Sequence, residues 1–391
     1  MWSRSRGGKD TASFEYTPTW PRTEGFALDP ELPLGAGQFH TDRPLFNVFA
    51  DASPDRWGQT LLRRAEQARA RKEGRTARTL RPIDFLALVT DATRMGALRF
   101  REPGTTGFVS ADSRIPPLLH LPRLLRATTA VLDDNETDDD LALLLAPGTS
   151  LGGARPKASV IDTTGRLALA KFPSREDDWP ITSWEATTLA LARQAEIDVP
   201  PSRLANVLGK PVLIVERFDR TGDQRIPYMS ALTSLSARDG EIRSYLEIAD
   251  ALRASGGDVR RDLAQLWRRI AFNVLVSNTD DHLRNHGFVM APSGWHLSPA
   301  FDLNPMPIDV RPRIHALALD EADQTASLDT VRRIAPSFHV SDAEATRIIR
   351  RVGSAVDTWR VVAAKHGLTK KQIDRMSSAF EHADLAAARR A

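Results

Sequence analysis

The chain has 391 residues, of which 41% are apolar and 26% charged, with a formal net charge of +3 and no cysteine. That length accommodates two or three domains with a sizeable core, and the composition is that of an ordinary soluble globular protein. The lack of cysteine excludes a disulfide framework, a thiolate metal site and a cysteine nucleophile, and the small net charge does not by itself argue for a nucleic-acid partner.

The opening residues, "MWSRSRGGKD", are charged with no apolar stretch behind them, and nowhere do about 18 apolar residues run together. A cytoplasmic protein that makes no membrane contact is the expectation. Next, "ASFEYTPTW" alternates as a strand, "SPDRWGQTLLRRAEQARA" predicts a helix behind the cap-like Ser53 and Asp55, and "PIDFLALVT" predicts another. Residues 1–116 therefore read as a small α+β subdomain. Within it the segment from Arg63 to Arg81 carries eight Arg or Lys against two Glu, which reads as a solvated helix face and loop or as a DNA or partner patch. The acidic run "DDNETDDD" from Asp133 to Asp140 reads as a surface linker between two short helices, and Pro147 and Gly148 then break the chain.

The stretch "KASVIDTTGRLALAKF" predicts two strands around a Thr164-Gly165 turn, followed by a helix from Ser183 to Ile197 and a second strand pair around Gly209-Lys210. Residues 117–242 are expected to form a lobe that grips a nucleotide. From about Arg243 helical patterns dominate, interrupted by "SNTDDHLRNHGF" and by a hairpin around Ser293-Gly294. The last stretch, from Ser327 to Ala391, is expected to be helical with breaks at Gly353 and Gly367. Residues 243–391 thus read as a mostly helical lobe.

The richest stretch chemically is "SNTDDHLRNHGF". His282 and His286 stand four apart, as zinc ligands on one helix would, but Leu283 replaces the usual Glu and Asn278, Asn285 and Gly287 disfavour a continuous helix. A polar loop that only caps the preceding helix is the bland reading. A third reading pairs Asp280 with Asn285, the spacing of a kinase catalytic loop, in which the Asp orients the acceptor hydroxyl and the Asn binds magnesium. Asp302, after the hairpin, stands where a second magnesium ligand belongs. Lys171 at a strand end and Glu185 early in the next helix follow the order of the kinase strand lysine and its partner. "TSLGGARPKA" offers Gly152 and Gly153 as a loop to cover phosphates, and "VERFDR" reads as a hinge with Phe218 as a stacking surface for adenine.

In this order, "SLGGARPKA", "LAKFP", "SWEATTLALA", "VERFDR", "NTDDHLRNHGF" and "LSPAFDL" resemble the HipA family of bacterial serine/threonine kinase toxins. The likeness extends through "ASFEYTPTW", "SPDRWGQTLL" and "DATRMGALRF", with that family's first strands expected to be missing. It implies an α+β, two-lobed protein-kinase-like fold and a kinase that uses ATP and Mg2+ to phosphorylate a Ser or Thr of a cellular protein, in the family's best-known case an aminoacyl-tRNA synthetase, causing growth arrest and persistence. By resemblance Asp280 is the catalytic base and Asn285 and Asp302 hold magnesium. Gly152, Gly153, Ala154, Lys157, Lys171, Glu185, Glu216, Phe218 and His282 surround ATP, and Ser150, beside Thr149, is the autophosphorylation site. The implied partner is a HipB-like DNA-binding antitoxin through which the protein meets DNA indirectly. A second carboxylate at Asp281 is expected either to recruit the metal or to sit outward unpaired. Two other readings stand beside this one: a catalytically silent co-repressor that binds DNA through the basic segment, and a small-molecule or lipid kinase.

Overall fold

The computed structural model describes residues 1–20, 25–111, 115–145, 153, 155–321 and 323–391, which form two compact units. The first comprises Met1–Leu167 and Gly222–Asp239, the second Ala168–Thr221 and Gly240–Ala391.

The first unit opens with an antiparallel sheet of β1 (Trp2–Arg6), β2 (Lys9–Glu15) and β3 (Gln38–Thr41), in that order. Gly7 and Gly8 join β1 to β2 with φ of 59° and 81°, the left-handed pair that suits the twist of a two-residue hairpin and that residues with a Cβ rarely adopt. Phe14, Tyr16, Phe46 and Phe49 form an aromatic core between this sheet and α1 (Asn47–Asp51), with Phe14 edge-on to Tyr16 at 4.8 Å. Helix α2 (Arg56–Lys72) follows the cap signal read in the sequence, Asp55 accepting the Gly58 N–H at 2.8 Å, and α3 (Pro82–Leu88) starts with its proline in the first turn.

The basic and acidic segments are not separate surface features. Arg64 of α2 donates to Asp134 at 2.5 Å and to Glu136 at 2.8 Å, and Lys72 pairs with Asp138 at 2.6 Å. The acidic run does link two short helices, α4 (Leu121–Leu132) and α5 (Asp138–Leu145), though its last three residues already form the first turn of α5. Three aspartates in the first turn of α5 suit the positive end of the helix dipole, while Leu141 and Leu144 bury the opposite face. The unit's chain then runs through β4 (Lys157–Ile161).

In the second unit β5 (Leu167–Lys171) pairs antiparallel with β7 (Lys210–Glu216), which pairs in turn with β6 (Ser202–Val207), and α6 (Ile181–Gln194) packs on β6 and β7. Helices α7 (Tyr245–Ser255) and α8 (Val259–Leu275) lead to the hairpin of β8 (Gly287–Ala291) and β9 (Gly294–Leu297). That hairpin is pinned to α8: Ser293 bonds His296 Nε2 at 2.7 Å, and His296 Nδ1 lies 3.1 Å from the buried Asp262, which also accepts the Leu297 N–H. Gly257 closes over this brace, since a Cβ there would lie 2.5 Å from Nε2.

The C-terminal helices are α9 (Leu328–Ile334), α10 (Asp342–Asp357), α11 (Trp359–Lys365), α12 (Lys370–Arg375) and α13 (Ala383–Arg390). Gly367 (φ 79°) does break the chain after α11. Gly353 does not: it lies inside α10 where α13 crosses, and a Cβ there would come within 2.8 Å of Ala388 Cβ. Its lack of a side chain serves close packing. No helix among the described residues is long and apolar enough to cross a membrane.

One buried acid in the first unit makes a pH test. Asp29, 1% exposed, accepts backbone N–H groups of Val48 at 3.0 Å and Glu31 at 2.9 Å, yet burial outweighs these and pushes its carboxyl up to about 6. A raised carboxyl pKa means that the folded state retains a proton which the unfolded chain releases above its ordinary value of 3.8. This group's contribution is therefore full below that value and is lost as pH rises through about 6. Between acid and neutral pH the stability of Asp29→Asn relative to the parent should move toward the variant by about 3 kcal/mol. Urea denaturation at both ends of that window checks it.

Candidate active site

The second unit gathers most of the residues singled out in the sequence. Lys171 ends β5, and its register opposite Leu213 of β7 aims it toward α6. There its Nζ meets Glu185 Oε1 at 2.5 Å, and Asp302 Oδ1 lies at 3.4 Å. Burial alone would lower the lysine pKa, but the charges of Glu185 and Asp302 outweigh it and the group is raised, so the ammonium stays charged inside the fold. Asp302 has a φ of 58°, left-handed backbone of a kind that costs about 1–3 kcal/mol and persists where surrounding contacts enforce it. Those contacts are Asn304 Nδ2 to its Oδ1 at 3.2 Å, Thr188 Oγ1 to the Leu303 carbonyl, and Asn304 N–H to Asn278 Oδ1 at 3.3 Å.

The expected hinge is Glu216 at the end of β7, followed by half-buried Phe218. Phe218 is stacked on Phe301, ring centroids 5.7 Å apart, so this aromatic abuts the residue before Asp302. The next residue along the hinge, Asp219, is fully buried and held by both arms of Arg217, at 2.7 Å each, and by Arg220 at 2.5 Å. A doubly paired carboxylate of this kind stiffens the hinge.

Between α8 and β8 the loop separates its adjacent carboxylates by environment. Asp280 is exposed, and its Oδ1 takes a bond from Arg311 at 2.8 Å. Asp281 is 2% exposed and neither recruits a metal nor sits outward unpaired: its Oδ2 meets Tyr245 Oη at 2.5 Å, His286 Nε2 at 2.7 Å and Asn273 Nδ2 at 2.9 Å. Burial works to raise its pKa, but His286 and the Tyr245 hydroxyl win and hold it below the usual carboxylate value, while burial and Asp281 drive the Tyr245 phenol well above its own. The zinc arrangement does not form. Residues Leu283–Asn285 make a single 3-10 turn, His282 is exposed and His286 is turned inward to Asp281.

Among the described residues no three His, Cys, Asp or Glu converge on a metal position. Asp302 and Asn285 nevertheless suit magnesium, which takes a few protein oxygens and completes its shell with water and phosphate. Asn285 donates its Nδ2 to the Asp280 carbonyl at 3.4 Å, which leaves the amide oxygen as the atom to meet a cation.

Of the stretch read as a phosphate loop, Gly153 and Lys157 are described and lie in the first unit. Ser150, Thr149, Gly152 and Ala154 lie outside the described residues. Gly153 has a φ of 114°, and its carbonyl accepts from Lys157 Nζ at 3.3 Å. Lys157 is buried, and its ammonium pairs with Asp55 at 2.5 Å, so the cap of α2 also fixes this lysine. No local pattern signals that pair, nor Arg311, Phe301 or the Tyr245 bond. Each joins segments far apart in the chain, beyond the reach of local spacing.

Comparison with known proteins converges on one family. The HipA-like C-terminal domain matches residues 149–359, and the HipA N-terminal domain matches residues 3–101. A Sinorhizobium fredii protein named as a kinase, Y4mE, is 27% identical over 182 residues, which cover 39% of this chain and 41% of that relative, so the match spans under half of its length. The serine/threonine-protein kinase toxin HipA of Shewanella oneidensis is 22% identical over 324 residues, 75% of this chain and 70% of the toxin. A solved complex of Shewanella oneidensis HipA with HipB and operator DNA aligns with 99% of this chain and 93% of its counterpart at a TM-score of 0.68 and 16% identity. The fold is thus of the α+β, kinase-like class.

The two neighbouring carboxylates should separate stability from chemistry. Asp281→Asn is expected to lower the unfolding free energy by about 2–4 kcal/mol, because it leaves buried donors facing one another. Asp280→Asn should stay within about 0.5 kcal/mol of the parent, as exposed positions do. Denaturant titration of both variants gives the comparison.

Proposed function

The chain belongs to the HipA family, and from that premise we propose that it is an ATP- and Mg2+-dependent serine/threonine-protein kinase of the toxin type, acting in the cytoplasm on a cellular protein. The observation that carries this reading is Lys171 held between Glu185 and Asp302 at 2.5 and 3.4 Å. A charged lysine fixed by a helix glutamate beside a metal-ligating aspartate is the arrangement that positions ATP phosphates in kinases.

In this reading Lys171 contacts the phosphates, Glu185 orients it, and Glu216 and Phe218 border the adenine with His282 near the nucleotide. Gly152, Gly153, Ala154 and Lys157 supply the phosphate loop. Asn285 and Asp302 hold magnesium, which when bound neutralises phosphate charge. Asp280 receives the proton of the acceptor hydroxyl as its oxygen bonds to the γ-phosphorus and the bond to ADP breaks. Exposed Ile308, Val310 and Ile314 lie in the segment that brings Arg311 to Asp280. They suit a polypeptide acceptor better than a small polar metabolite.

Ser150 is the proposed site of self-inactivating phosphorylation. The proposed partner is a HipB-like antitoxin, which would carry the protein to operator DNA; the Shewanella oneidensis HipA stands in a solved complex with HipB and its operator DNA.

Purified protein incubated with γ-labelled ATP and magnesium should incorporate phosphate, mapped by peptide mass to Ser150 or Thr149 or found in an added protein acceptor. Asp280→Ala should abolish transfer, by at least about 100-fold, while nucleotide affinity stays within about twofold. Asp302→Ala should instead weaken nucleotide binding in a magnesium-dependent way. Undiminished phosphorylation by Asp280→Ala would overturn the assignment.

A further inference from the structure

The loop from Asp280 to Asn285 is fixed everywhere except at its reactive end. Asp281 is bound by three donors, and Asn285 ties back to the Asp280 carbonyl. Among the described residues the Asp280 carboxylate has one side-chain contact, Arg311 Nη1 at 2.8 Å, with side-chain exposures of 63% for Asp280 and 40% for Arg311. An exposed carboxylate rotates freely, and a base that must accept a proton in one direction loses rate with every other rotamer.

The segment that carries Arg311 is itself anchored on both sides. Before it, the Met306 N–H bonds the Ser277 carbonyl at 3.1 Å, the Ile308 N–H bonds Ser378 Oγ at 3.1 Å, and Asp309 pairs with Arg375 at 2.8 Å. After it, Arg313 reaches Ser277 Oγ, the Val274 carbonyl at 3.0 Å and Asp384 at 2.7 Å, and the Ala316 N–H bonds the Thr279 carbonyl at 3.0 Å. The Arg311 N–H also bonds the Pro307 carbonyl at 3.1 Å, which turns the chain at this point. An exposed ion pair contributes little to stability, so this density of anchors around the arginine is not explained by its one salt bridge.

We propose that Arg311 is a positioning residue for phosphoryl transfer: it holds Oδ1 of Asp280 so that the other carboxylate oxygen faces the acceptor hydroxyl. This rests on the kinase reading above and deepens it. In the transfer the acceptor oxygen bonds to the γ-phosphorus, the bond to the β-phosphate bridging oxygen breaks to release ADP, and the hydroxyl proton passes to Asp280. Arg311 keeps its proton throughout and forms no bond to the reacting atoms.

The test uses the full chain and compares the parent with Arg311→Ala and Arg311→Lys at saturating MgATP, with nucleotide affinity and thermal midpoint measured in parallel. Arg311→Ala is expected to lower kcat about 10- to 100-fold, with KM for ATP changed less than about twofold and the midpoint unmoved. Arg311→Lys should recover part of the loss. Because the pair is exposed and screened, added salt should reduce the kcat of the parent more than that of Arg311→Ala. A kcat for Arg311→Ala equal to that of the parent overturns the proposal, and a higher kcat would make the arginine a brake and overturn it as well. If the parent itself transfers no phosphate to any protein, including itself, the kinase reading fails first, and that result is distinct from an active parent with an indifferent Arg311.

Discussion

The second unit is organised around a partly buried cation, Lys171. An ammonium out of water is tolerable only when opposite charge meets it, and Lys171 receives that charge from Glu185 and Asp302, two elements that the chain delivers separately. Three placements follow from this single requirement. β5 must end at Lys171 in register with β7, α6 must lie where its fifth residue reaches that strand end, and the chain beyond β9 must return to the same point. The last placement is the most demanding, because Asp302 meets the lysine only with left-handed backbone. Neighbouring bonds from Thr188, Asn278 and Asn304 hold it there.

Adjacent aspartates in the loop after α8 illustrate how environment divides identical side chains. The loop is anchored through Asp281 to Tyr245, Asn273 and His286, while the neighbouring Asp280, in the turn before it, stays exposed. The inner carboxylate anchors the loop, and the outer one stays exposed beside Arg311. Had Asp281 been a metal ligand, it would compete with its own three donors, and the loop would lose the contact that fixes its course.

Much of this is legible in the sequence where the signal is local. The strand and helix that present Lys171 and Glu185 follow each other within a few turns, and Asp280 with Asn285 sits inside six residues, so spacing alone carries the pattern. The hairpins around Gly165, Gly209 and Gly294 are likewise marked by their turn residues, each with positive φ. What is not legible depends on partners remote in the chain: Lys157 with Asp55, 102 residues away, and Asp281 with Tyr245, 36 away. Gly353 departs from the expected break because a lone glycine in a helical pattern signals either a break or a close crossing, and only Ala388 across the interface decides between them. The pairing of the acidic run is not legible for the same reason, since its counter-charges lie on α2 more than sixty residues earlier.

Those counter-charges also bear on the reading of the basic segment as a DNA face. A DNA-binding face works by releasing counterions from phosphates, which requires cations not already neutralised. Of the basic residues between Arg63 and Arg81, Arg64, Lys72, Arg75, Arg78 and Arg81 face carboxylates and Arg63 lies over the Phe85 ring at 4.9 Å. Among the described residues of that segment only Arg69 and Arg71 stand outside these contacts. Within that segment, then, most of the positive charge is paired with carboxylates of the same unit, and it serves to hold α2 and α5 together.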